Sequence, residues 1–235
     1  IASGGTTNLS RGTINGNTAV GGTTSLGGAI YSEGTLLLEG TAQVGAENKA
    51  NTAIDGAGIY VASGSVDLSG GSITSNTATG NGGGVYVAFG VTLTMNNAAV
   101  IGNQAEKGGG VYVKGQYSQA GSDVTVSITR GSISDNVATG EGGGLFLNEG
   151  RRAYINGVTL SRNKALATTF VKPDSNNRND YHNGGGGAIF VDRYSVLTVE
   201  NSTISGNDAY RAGGGVFVFS REYRLGELTL SNVQV

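Results

Sequence analysis

The chain has 235 residues, of which 43 are Gly, 1 is Pro and none is Cys, with a formal net charge of −2. This balance offers no basic field for nucleic acid or an acidic membrane, and the missing Cys excludes disulfides and cysteine–zinc sites. No run of 18 apolar residues is present to insert in a bilayer, Gly lacks the period of three that collagen needs, and the Ala, Leu, Glu and Lys runs of long helices are absent.

What remains is a vocabulary of Thr, Ser, Asn and Val, suited to strands and turns. The first unit opens with Ile14, then Asn17-Thr18-Ala19, then Gly27-Gly28-Ala29-Ile30-Tyr31, then Leu36-Leu37-Leu38. The second carries Asn51-Thr52-Ala53, Gly56-Ala57-Gly58-Ile59-Tyr60-Val61 and Val66-Asp67-Leu68. The third is the fullest copy: Ile73, Asn76-Thr77-Ala78, Gly82-Gly83-Gly84-Val85-Tyr86-Val87, and the alternating Val91-Thr92-Leu93-Thr94-Met95. The fourth has Val100, Asn103-Gln104-Ala105, Gly108-Gly109-Gly110-Val111-Tyr112-Val113 and, past an insert at about 114–123, Val124-Thr125-Val126. The fifth has Ile133, Asn136-Val137-Ala138 and Gly142-Gly143-Gly144-Leu145-Phe146-Leu147. The sixth has Leu160, Asn163-Lys164-Ala165, a longer insert at 166–184, Gly186-Gly187-Ala188-Ile189-Phe190-Val191 and Val196-Leu197-Thr198-Val199. The seventh has Ile204, Asn207-Asp208-Ala209 and Gly213-Gly214-Gly215-Val216-Phe217-Val218.

Each unit thus holds three short strands separated by turns, and alternation turns one side of each strand inward. Units that each contact only their neighbours stack into a solenoid. The expected fold is all-β: a right-handed parallel β-helix of about eight coils, forming a single solenoid over 1–235. No cap is visible after the last strand, so the chain is expected to be a segment of a longer protein, or one whose ends dock on neighbours.

The Asn column (Asn17, Asn51, Asn76, Asn103, Asn136, Asn163 and Asn207) is expected to stack as a structural amide ladder. The aromatics Tyr31, Tyr60, Tyr86, Tyr112, Phe146, Phe190 and Phe217 are expected on the outer face, because the position after them is aliphatic in six of the seven units and the one beyond is often charged. Such a ladder either stabilises neighbouring coils by stacking or presents an exposed apolar stripe to a sugar or protein.

The repeats resemble those of polymorphic outer-membrane proteins, and more broadly the surface β-helix proteins of bacteria and archaea. The resemblance rests on Gly-Gly-Ala-Ile at 27–30 and 186–189 with Asn-x-Ala in the same unit, and it covers roughly residues 10 to 235. It implies an extracellular, cell-surface passenger or stalk, often adhesive. One position differs: the polymorphic family prefers Phe three residues before the Asn, where this chain has Ile, Val or Leu.

Function is sought where the repeat is interrupted. The long insert holds the only His, His182, beside Tyr181, with Lys172, Asp174, Arg178 and Asp180. Charge is concentrated in the second half: residues 121–235 carry 11 of the 15 Lys and Arg and 11 of the 17 Asp and Glu. Arg151, Arg152, Arg193, Tyr194, Arg221, Tyr223 and Arg224 follow the aromatic strand in three units, so one basic-aromatic corner is expected, suited to acidic glycans or a carboxylate-bearing partner. Its alternative is a solvated corner neutralised by Glu149, Asp192 and Glu222.

No carboxylate recurs at one repeat position as a glycosidase pair would need, and one His gives neither a zinc set nor a Ser-His-Asp triad. Catalytic residues, metal and cofactor are therefore all expected to be none. The expected function is a non-catalytic surface protein, binding glycan or protein on a host or neighbouring cell through its loops. Two readings stand beside it: a structural subunit of a sheath or filament, partnered by its own copies, and a polysaccharide lyase or hydrolase using Asp192, Arg193 and the insert carboxylates.

Overall fold

Alternation decides the walls. Leu36 and Leu38, Val66 and Leu68, Leu93 and Met95, Val126 and Ile128, Ala153 and Ile155, and Leu197 and Val199 are all buried, while the residues between them remain partly exposed. In the computed structural model, which describes residues 1–116, 125–167, 184–220 and 225–235, these pairs point into one continuous aliphatic core. Each Val, Leu or Ile fully buried there contributes about 1.5–3 kcal/mol.

All pairing between the described strands is parallel, in three sheets of 13, 6 and 7 strands, and no helix occurs among the described residues. The chain is a parallel β-helix. The seven-stranded sheet takes one aromatic strand from each turn, Ile30–Ser32 through Val216–Val218. This makes about seven turns, one fewer than the eight expected. The six-stranded sheet is the Asn-x-Ala column, from Thr52–Ala53 to Asp208–Ala209.

The largest sheet departs from the three-strand expectation. The aliphatic residue before each Asn continues the alternating strand and is not part of the Asn-x-Ala strand. In Thr35–Val44 and Ser65–Thr74 the two are a single ten-residue strand. Later turns break between them at a left-handed residue such as Asn97, with φ 60°, and resume at Ala99–Ile101 and its counterparts. A second left-handed residue then turns the chain into the Asn column: Gly16, Ser75, Gly102, Asp135, Arg162 and Gly206 directly precede six of the seven ladder asparagines.

The Gly clusters are required by close approach. Gly108 has φ +60°, and a Cβ on Gly109 would lie 2.5 Å from the carbonyl oxygen of Val137 on the next turn. The turns are too close here for any side chain.

Candidate functional site

Asn51, Asn76, Asn103, Asn136 and Asn163 have no exposed surface. Each Nδ2 donates to the Oδ1 of the next Asn, from Asn17 to Asn207, at 2.8–3.0 Å. From Asn51 onward, each Nδ2 also donates to the carbonyl of the aliphatic residue on the preceding turn, as Asn103 does to Ile73 at 3.0 Å. The Oδ1 groups of Asn103, Asn136, Asn163 and Asn207 accept a second bond from the backbone N–H of the preceding Asn. Both donors and both acceptor sites of a central Asn are therefore used. This column is structural.

The seven aromatic rings stack face to face along the axis, with centroids 4.5–5.6 Å apart. They form a cluster separate from the aliphatic core. The hydrogen-bond ladder runs one residue past each strand, as where Ala88 N–H donates to Val61 at 3.0 Å. Ala88 and Phe219 accordingly pack against the rings. An exposed stripe is not what results, however: Tyr86, Phe146 and Phe190 are only 2–4 % exposed, and Tyr31 at the first turn is the open ring at 39 %. Stacking covers both faces of every internal ring, and charged side chains lie close by. Lys107 Nζ sits 5.5 Å from the Phe146 ring centre and 3.4 Å from Glu141.

The expected basic corner is also revised. Arg151 lies on the same strand side as Ala153 and Ile155, so it turns inward and is 3 % exposed. Its Nη2 donates to the Val91 carbonyl at 2.9 Å, its guanidinium lies over Phe89, and burial lowers its pKa. Arg193 pairs with Glu149 and lies 3.6 Å from Asp192; Asp192 also accepts from Asn148. Burial raises the pKa of Glu149 and of Asp192, against the opposing pull of Arg193. Arg193 is therefore held within the fold by two carboxylates. Arg152 is half-buried on the outward side, in register with Val196. Tyr194 occupies a left-handed turn at φ 59° and its N–H donates to Leu225. Tyr181, His182, Arg221, Tyr223 and Arg224 lie outside the described residues, as do Asp174, Asp180, Glu222 and most of both inserts.

A cleft that the sequence reading missed lies outside the Asn ladder. The residues on either side of each buried Asn point outward, forming two columns. Across adjacent turns these columns bring together Asp135, Val137, Arg162, Lys164 and Gly206 around a cleft of about 380 Å³. Arg162 holds Asp135 in a two-point pair, Nε to Oδ1 at 2.7 Å and Nη2 to Oδ2 at 2.8 Å. That pair lowers the Asp135 pKa, chiefly through the hydrogen bonds from Arg162.

A solenoid of glycine-rich turns zipped by amides and rings defines a class, that of the parallel β-helix repeat proteins. Within it, residues 12–33, which hold the first Asn-x-Ala and Gly-Gly-Ala-Ile-Tyr copies, match the Chlamydia polymorphic membrane protein repeat. Over those residues the chain is similar to the polymorphic membrane proteins in repeat. No curated protein and no solved structure matches it.

Proposed function

We propose that this chain is a non-catalytic, adhesin-like passenger displayed at the extracellular face of a cell, which binds a glycan or protein through outward residues on a rigid solenoid. The observation that carries this reading is the division of the repeat. Its Asn, Gly and aliphatic positions are consumed by stacking, whereas the residues flanking each Asn vary between turns and face solvent. The match of residues 12–33 to a surface-protein repeat supports the location.

A second reading, a stalk or filament subunit, is favoured by the unbroken ladders from Asn17 to Asn207 and Tyr31 to Phe217, which stiffen the rod along its axis. The purified chain exposed to acidic and neutral polysaccharides and matrix proteins, with both retention and new chain ends recorded, separates the readings. Retention without cleavage is expected of a passenger. No retention favours the stalk, and new chain ends overturn the non-catalytic reading.

A further inference from the structure

We propose that the cleft between Asp135, Arg162, Lys164 and Gly206 is a subsite for a carboxylated sugar, which rests on the reading of the chain as a surface binder and names its ligand class. Three features support it.

The first is the donor set. Asp135 engages Nε and Nη2 of Arg162, which fixes the guanidinium and leaves Nη1 directed elsewhere. Lys164 stands exposed beside it, two residues along and across the buried Asn163. An oriented guanidinium and a mobile ammonium on one wall suit a carboxylate. Asp135 remains an acceptor for sugar hydroxyls, and Val137 offers a small apolar surface to ring C–H groups. Asp208, next in register to Lys164, does not line the cleft.

The second is the shelf. The left-handed corner carries side chains at Asp135 and Arg162, but the next turn has Gly206. The space a third side chain would fill is open, and a Cβ built on Gly206 meets only Arg162 Cγ, at 3.7 Å. The third is rigidity. Asn136 and Asn163 are locked behind the cleft by the amide ladder, and the Arg162 N–H donates to Ser205 at 3.1 Å. A site built on fixed strands loses little entropy on binding.

The test is calorimetric titration of the whole chain with oligogalacturonate, a neutral cello-oligosaccharide of equal length, and a poly-glutamate peptide. Saturable binding of oligogalacturonate is expected, with the other two weaker by about tenfold or more, the scale of a lost charge-assisted hydrogen bond. Lys164→Gln should weaken binding about tenfold. Gly206→Asn should do the same by filling the shelf, since the equivalent corners hold Ser75, Asp135 and Arg162 without harm to the fold. Both variants should keep the parent circular dichroism; Lys164→Gln should also keep the parent urea midpoint, and Gly206→Asn should lower it only slightly, because Asn is among the side chains best tolerated at a left-handed position. Equal binding of the neutral sugar or of poly-glutamate, undiminished oligogalacturonate affinity in both variants, or no oligogalacturonate binding would each overturn the proposal. Binding of a different panel ligand that survives both variants would do so too, while leaving the passenger reading intact.

Discussion

Asn103 donates its side-chain amide to Asn136 Oδ1 at 3.0 Å, and its backbone N–H donates to the same oxygen at 3.0 Å. One acceptor thus holds both the chain and the side chain of the turn before it. Replacing Asn103 with Leu would take the acceptor from the Asn76 backbone N–H and from one Asn76 amide hydrogen, and the side-chain donor from the Ile73 carbonyl, and would leave Asn136 Oδ1 with only its backbone bond. A loss of about 3 kcal/mol or more is expected, since each buried unpaired group costs about 1–3 kcal/mol. Asn17→Ala, at the exposed start of the ladder, should cost under about 1 kcal/mol. Urea unfolding of the two variants checks the contrast.

The tyrosines predict an alkaline limit. Burial, followed by neighbouring rings at Tyr86 and by nearby carboxylates at Tyr112, holds both far above the usual phenol value of 10. A raised folded pKa means that stability is fully present below pH 10 and is lost as pH climbs beyond it, because only the unfolded chain ionises there. Absorbance of tyrosinate should therefore rise in two stages. The exposed phenols ionise first, and the internal ones appear only as circular dichroism collapses. Simultaneous ionisation of all ten tyrosines with the fold intact would contradict the burial of the ladder.

Acid should have the opposite effect over a lower window. Burial raises the pKa of Glu141, Glu149 and Asp192, each against an opposing cation. Their contribution is greatest when protonated, below the usual carboxylate range of 3.8–4.5, and falls as pH rises through their higher folded values. The urea midpoint should rise as pH falls from 7 towards the usual carboxylate range, and Glu141→Gln with Asp192→Asn should flatten that rise. A midpoint that falls in the parent chain over this interval would show that these three groups do not govern it.

Two backbone changes should have opposite signs. Ser75 holds a left-handed conformation at φ 56°, which costs an L-residue about 1–2 kcal/mol. Ser75→Gly should therefore stabilise by about 0.5 kcal/mol after the added freedom of the unfolded chain is subtracted. Gly109→Ala places a methyl 2.5 Å from the Val137 carbonyl and should destabilise by several times that amount. Thermal unfolding of both reads the difference.

The parallel solenoid was legible because its determinants are local and repeated. Alternation at Leu93 and Met95, and Gly before Val85-Tyr86-Val87, each carry their meaning within a few residues. The bend that joins Val100 to the strand before it was not legible, because the left-handed corner that Asn97 holds is filled by Arg130 and Gly157 in the next two turns, so no residue type marks it along the chain. Arg151 was misplaced for a related reason. Its charge argued for solvent, but strand parity with Ala153 and Ile155 turned it inward. The exposure of the rings depended on stacking between turns, which no single repeat displays. The cleft depended on register between turns: Asp135 and Arg162 are 27 residues apart in sequence and meet only because one turn is that long.

A passenger must be displayed on the outside of the cell. Antibodies against this chain, applied to intact cells of its source and again after permeabilisation, measure that directly. Labelling of intact cells at full strength, removed by protease added outside, is the predicted result. Labelling that appears only after permeabilisation would contradict a surface passenger and return the solenoid to an internal role.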